Sequence, residues 1–364
     1  MTVGAPATEL DTPALLLDLD ILDQNIARMI GTFREHGIGW RPHTKAIKIP
    51  ALAHKLLKAG AHGVTVAKLS EAEIMAQAGI EDILITGPVV GAKKAARLAN
   101  LSKQARPIGV VDCVEHIDML DAAGKQYGVQ IRTVVEVDLG MHRCGAQPGE
   151  ATVKLAKEIN SRAGLKYEGL MAWEGHTLRI KDIDEKRAAV TQAVNALLDT
   201  ARQIRAADIP VNIVSCGGTG TYPLSAAAGV NGITEIEAGG GIYGDLVYAN
   251  SFGIDHPMAM TVIATVISRP TPTRIVTDAG FKTLSNQGAS PEPKDVKNVS
   301  GVRLSAEHGT MDLSEPNTDV KVGDKVYWKV GYTDATVILH ETMYGVRGGI
   351  VEAEWPILGR GKLQ

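Results

Sequence analysis

Two glycine clusters and two lysines are the residues whose types and positions could carry chemistry in this sequence. The clusters read Cys216-Gly-Gly-Thr-Gly-Thr221 and Glu237-Ala-Gly-Gly-Gly241. Backbone free of side chains can offer several N–H groups to a phosphate. One such cluster would serve equally well as a tight turn, but two in near succession point to phosphate. Lys45 and Lys68 each follow a short apolar run. A lysine amine forms an imine with an aldehyde, so a phosphate site shared with a lysine suggests pyridoxal phosphate. Lys45 has the better surroundings, with His43 two residues before it and Arg41 nearby to help keep its amine neutral. Lysines at such positions are often solvated surface charges. The same features also fit a sugar-phosphate aldolase or epimerase, and the residues alone leave both readings open.

The elements that must position these groups follow from hydrophobic periodicity. Eight apolar runs, 38–42, 63–68, 82–88, 107–112, 131–138, 165–173, 211–216 and 232–238, alternate with stretches of helical period such as 70–79, 92–102, 115–127, 151–163 and 182–207. Eight strand-helix repeats predict a (β/α)8 TIM barrel, whose active sites lie where the strands end. The strand ends carry Arg41-Pro-His-Thr-Lys45, Lys68, Asp138-Leu-Gly-Met-His-Arg143, Trp173-Glu-Gly-His176 and the two glycine clusters. Beyond Met258, β-branched runs at 260–268, 273–277, 301–305, 325–330 and 349–352 are separated by Pro, Asn and Gly, which predicts a C-terminal β-rich, barrel-like domain. The expected division is a barrel over 21–257 and a β-rich domain of 1–20 plus 258–364. The run 14–20 is an extra strand that joins the barrel or pairs with the C-terminal sheet, and 291–298 reads as an exposed loop.

Composition narrows the partners. The 364 residues are 45% apolar, enough for a full core, and the net charge of -3 gives no basic face for nucleic acid or an anionic membrane. A small-molecule partner remains. The three cysteines lack CxxC pairing and read as buried, reduced thiols. With no basic region leading into an apolar stretch at the start of the chain, a cytoplasmic location is expected.

Taken in order, Asp11-Thr-Pro-Ala, Arg41-Pro-His-Thr-Lys45, Val137-Asp-Leu-Gly-Met-His-Arg143, Cys216-Gly-Gly-Thr-Gly-Thr-Tyr222, Glu237-Ala-Gly-Gly-Gly241 and Asp278-Ala-Gly280 resemble the signatures of the D-threonine aldolase and D-serine dehydratase family of alanine-racemase-fold, fold type III pyridoxal-phosphate enzymes. The resemblance runs nearly end to end. It implies Lys45 as the imine lysine, Arg143 on the cofactor ring oxygen, phosphate held at Gly218, Thr219, Gly240 and Gly241, Tyr222 supporting that loop, and a homodimer. The family also holds a divalent metal through a His and a Cys or Asp two residues later. Here the matching stretch is Val330-Gly-Tyr332-Thr-Asp334, with tyrosine in place of histidine. A tyrosine hydroxyl is a poor ligand at neutral pH. Asp334 remains a metal candidate, with His340 and Glu341 close in sequence.

The implied activity is that of a lyase cleaving a β-hydroxy-D-amino acid to a small amino acid and an aldehyde. Retro-aldol cleavage needs a base for the β-hydroxyl, with His176 the candidate and His43 the alternate; His142 reads as structural. Loss of metal would hurt elimination most, because hydroxide leaves poorly without a Lewis acid. The alternatives are a metal-independent transaminase or racemase of D- or α-substituted amino acids, and a non-catalytic pyridoxal-phosphate carrier, against which the second domain argues. Trp173, Tyr243 and Tyr344 are candidate pocket walls, though large aromatics are as often core.

Overall fold

A computed structural model describes residues 2–364 and divides into two compact units. One unit comprises 28–45, 50–239 and 362–364, and the other comprises the chain up to Ala27, 46–49 and 240–361. In chain order the strands begin with β1 (Ala14–Asp18), which belongs to the second unit. The first unit holds β2 (Gly39–Trp40), β3 (Val64–Val66), β4 (Asp82–Ile85), β5 (Arg106–Val111), β6 (Ile131–Val137), β7 (Leu165–Ala172), β8 (Ile213–Cys216) and β9 (Glu235–Ile236). All eight are parallel, in the order β2-β9-β8-β7-β6-β5-β4-β3. A parallel bridge between His43 and Thr65 links the two end strands. The eight expected runs thus form the expected TIM-like barrel, with helices between most of the strands.

Residues two apart on a strand share a face, and the inward series shows three layers. The lowest is ionic, with Arg41 bonded to Asp82 and Glu235, and Arg132 to Asp82 and Glu168. Above it Leu84, Ile108, Val134 and Ile213 pack with Val110 and Met171. The upper layer is polar again. There, Ser215 Oγ donates to Glu237 at 2.8 Å, His43 Nε2 lies 3.5 Å from Thr86 Oγ1, and Glu136 is buried. A filled, layered interior is the usual state of such barrels.

The second unit adds β10 (Met260–Thr271), β11 (Arg274–Thr277), β12 (Glu292–Pro293), β13 (Val299–Leu304), β14 (Gly309–Leu313), β15 (Lys325–Lys329), β16 (Thr342–Arg347) and β17 (Ile350–Pro356). β1 lies between β10, antiparallel, and β16, parallel, which settles its two expected alternatives in favour of the C-terminal sheet. It ends at Asp18, and the helix Leu19–Glu35 follows directly. Its Ala14 and Leu16 pack with Ile263 and Val351 in that sheet's core. The segment 291–298 is not wholly a loop, because Glu292 and Pro293 pair with Lys329 and Trp328. Among the described residues no helix is long and apolar enough to cross a membrane.

Candidate active site

In the barrel unit, three of the expected site residues meet around one indole. Lys45 Nζ lies 5.7 Å from the centre of the Trp173 ring, and the Arg143 guanidinium carbon lies 5.2 Å from it. A Cβ placed on Gly218 would stand 2.8 Å from Trp173 Nε1, so only glycine lets that loop approach the ring so closely. Trp173 follows β7 and is partly exposed. An aldehyde-reactive amine, a fixed cation and backbone from a glycine loop therefore border the same aromatic surface.

Lys45 lies in a short 3-10 turn, Thr44–Ala46, just past β2. Its backbone N–H donates to His43 Nδ1 at 3.2 Å, and Thr44 Oγ1 donates to the Thr65 carbonyl at 3.1 Å. Gly239 is pressed on this turn so tightly that a Cβ there would lie 2.0 Å from the His43 carbonyl oxygen. His43 thus shapes the lysine turn. Lys68 is exposed and precedes the helix Leu69–Gln77, where its N–H donates to Glu71. Arg41 corrects an expectation. Its guanidinium is not a neighbour that keeps Lys45 neutral but a buried member of the ionic layer, 2.7 Å from both Glu235 and Asp82. The glutamate starts β9 and the aspartate starts β4, at the opposite end of the barrel from the residues that follow the strands.

The Arg143 loop is organised by Asp138, whose Oδ1 accepts N–H bonds from Gly140 and His142, both at 3.0 Å. Burial alone would raise this carboxyl, but those two N–H groups and the His142 ring hold it low. The His142 side chain is largely exposed and its Nδ1 faces Asp138 at 3.1 Å, which makes it a loop brace. Arg143 Nη2 stands 3.8 Å from Glu136 Oε1. Burial pushes the Glu136 carboxyl up to about 7, opposed by Arg143 and reinforced by Asp112 and Asp138. Exposed His176 lies beside this loop, its ring 3.2 Å from where a Cβ on Gly140 would be.

The first glycine cluster is fastened by a residue whose role the sequence reading missed. Buried Glu174 accepts hydrogen bonds from Thr221 Oγ1, Ser225 Oγ and the Gly217 N–H. Its position directly after Trp173 at a strand end was the available signal. Gly217 has a φ of +79°, which favours glycine. Thr219 is buried within the loop. Tyr222 is buried too, its ring 5.6 Å from Phe33 and its hydroxyl hydrogen-bonded with Thr32, so it buttresses the loop from the core side.

The remaining candidates belong to the second unit. Gly240 and Gly241 form a buried 3-10 turn with Ile242, where a Cβ on Gly240 would meet the Tyr248 hydroxyl at 2.9 Å. The Gly241 carbonyl lies 2.6 Å from His256 Nδ1. Tyr243 is fully buried, while Tyr344 is partly buried and packs against the β-sheet core.

Around Tyr332 the donors do not suit a metal. Its phenol is hydrogen-bonded with Asp334, and burial, with the charge of Asp334, pushes its ionisation far above the usual range. His340 Nε2 lies 2.8 Å from the Thr283 carbonyl, and burial disfavours its charged form. Glu341 pairs with Arg360 at 2.6 Å. His340 and Glu341, the candidates close to Asp334 in sequence, are therefore turned to other partners, and the Tyr332 phenol is turned to Asp334.

Known proteins resemble this chain along nearly its whole length. The D-threonine aldolase of Arthrobacter sp. is 33% identical over 363 residues, covering 98% of this chain and 95% of that protein. The 3-hydroxy-D-aspartate aldolase of Paracoccus denitrificans (strain Pd 1222) is 32% identical over 371 residues, covering 99% and 94%. The crystal structure of D-threonine aldolase from Filomicrobium marinum superposes with a TM-score of 0.95 at 33% identity, covering all of both chains. Residues 259–346 match a putative serine dehydratase domain. Residues 17–247 match the model for the alanine racemase N-terminal domain, and the chain belongs to that family.

Proposed function

We propose that this protein is a pyridoxal-phosphate-dependent lyase that cleaves a β-hydroxy-D-amino acid into a small amino acid and an aldehyde. The observation that carries the reading is the convergence of Lys45, Arg143 and Gly218 on Trp173. The residues fit the cofactor: an amine for its aldehyde at Lys45, a guanidinium for its ring oxygen at Arg143, and close-packed glycine backbone for its phosphate. Bound there, pyridoxal phosphate would draw electrons from whichever substrate Cα bond stands perpendicular to its ring.

The chain's own residues do the rest. Gly218 and Thr219 hold the phosphate in a loop that Glu174 fixes and Tyr222 supports. Gly240 and Gly241 are assigned to phosphate on the family likeness. Carbon–carbon cleavage needs the β-hydroxyl proton removed. His176 is the base, because it is exposed beside the Arg143 loop. His43 is the weaker candidate, since its Nδ1 already accepts the Lys45 N–H. No step is routed through a metal, because the donors around Tyr332 and Asp334 do not fit one.

Two relatives named as aldolases favour cleavage over transamination, racemisation or a carrier role. A homodimer in the cytoplasm belongs to the same reading and rests on the family alone. Light scattering of the purified protein tests the dimer. The test of function is product analysis: D-threonine should give glycine and acetaldehyde in equal amounts. Amino transfer to pyruvate from D-alanine, without cleavage of D-threonine, would overturn it.

A further inference from the structure

Outside the residues assigned above, the described residues contain one group of three side chains with the donors and spacing of a metal site. Asp112 directly follows β5, Cys113 caps the helix Val114–Tyr127, and His116 is that helix's third residue. One donor atom from each lies within 4.8 Å of the others. Cys113 has extended backbone, with φ -149° and ψ 166°, as a residue entering a helix commonly does. His116 Nδ1 is 3.0 Å from Asp112 Oδ1. Yet Nδ1 is shut off from solvent and makes no hydrogen bond. Two donor atoms this close, out of hydrogen-bond alignment, are what lone pairs converging on a third point produce. The other Asp112 oxygen, Oδ2, accepts the Gly145 N–H at 3.0 Å, which fixes the carboxylate.

We propose that Asp112, Cys113 and His116 bind a zinc-class divalent ion, with a fourth position left to water. Carboxylate, thiolate and imidazole together favour a borderline-soft transition metal over Mg2+ or Ca2+, which take oxygen ligands. Three protein ligands with a water in the fourth position is an arrangement that zinc adopts in proteins. The cysteines support it. Cys113 and Cys144 are only partly buried, contrary to the expectation of buried structural thiols, while Cys216 is fully buried. Burial, a hydrogen bond with the Glu115 carboxylate and the charges of Asp112 and Glu115 push the Cys113 thiol up, opposed by the His116 backbone N–H. The thiol must leave Glu115 and give up its proton to solvent as the metal–sulfur bond forms, so binding strengthens as pH rises. Through Gly145, two residues beyond Arg143, the ion would also steady the loop that carries the guanidinium.

The test titrates the pyridoxal-phosphate-loaded enzyme with Zn2+ by calorimetry, comparing wild type with C113S, H116Q and D334N. The outcome expected is one equivalent of zinc, bound about 100-fold more weakly in C113S and in H116Q and unchanged in D334N, since loss of a ligand costs at least as much as loss of a supporting residue. X-ray absorption at the zinc edge should show one sulfur in the shell. Circular dichroism checks that each variant is folded, and H116Q stands in should C113S fail to fold. Absence of stoichiometric binding, a shell without sulfur, or loss of binding only in D334N would overturn the proposal. Asp112 and His116 would then be an ordinary i,i+4 ion pair beside a bystander thiol.

Discussion

The two ends of the barrel spend similar side chains on opposite tasks. At the end where the strands begin, Arg41, Asp82, Arg132, Glu168 and Glu235 bond to one another, and most are shielded from water. Where the strands end, Lys45 is half-buried and Arg143 and His176 are exposed, while the acceptors Asp138 and Glu174 hold backbone and hydroxyls in place. Charge at the first end is consumed internally and specifies the fold. At the second the cations are kept available, and carboxylates do the structural work by binding backbone N–H and hydroxyl groups.

That contrast can be broken most strongly at Arg41. R41A removes the guanidinium that two carboxylates share, leaving Glu235 with His62 alone and Asp82 with Arg106 and Arg132, and should cost about 3 kcal/mol of stability, read from urea unfolding; a loss below about 1 kcal/mol would mean the lower layer is not structural. At the other end, His176→Ala should leave stability unchanged and lower kcat by about 10²-fold or more with little change in KM. An unaltered kcat would remove His176 as the base.

The ionic end also has a pH signature. Burial alone would raise the Glu235 carboxyl, but hydrogen bonds and charges from His62 and Arg41 hold it at about 2, against 4.5 unfolded. A lowered carboxyl stabilises fully above its unfolded value and loses that contribution as pH falls through its folded value. Between pH 4.5 and about 2 the protein should therefore lose on the order of 3 kcal/mol through this group, and E235Q should flatten that decline. Glu237 has the opposite sign. Burial pushes it up to about 8, so it destabilises progressively as pH rises from 4.5 towards 8, and E237Q should raise Tm in mildly alkaline buffer. The smallest effect sharpens the division of labour: E174Q keeps its size but weakens the loop's anchors, and should loosen pyridoxal phosphate about 10-fold without changing the unfolding transition by more than about 1 kcal/mol.

Much of this was legible before any coordinates. All eight barrel strands were visible as apolar runs because parallel strands are covered on both faces. β14 and β16 were not, since Gly309-Thr-Met-Asp-Leu313 alternates with polar residues and Gly345 interrupts the other. Lys45, Arg143 and the first glycine cluster could be marked from their places at strand ends. What brings them together could not: Trp173 reads only as a strand-end residue and a candidate pocket wall, and only the fold puts it between them. Arg41 was misread for a related reason: four positions from Lys45 along the chain, it serves the other end of the barrel once its guanidinium follows the interior downward.

The most direct test of the central claim locates the cofactor. Holoenzyme reduced with borohydride and digested should carry the pyridoxyl group on the peptide containing Lys45, and K45A should carry none. A label on Lys68, or full labelling of K45A, would contradict the account.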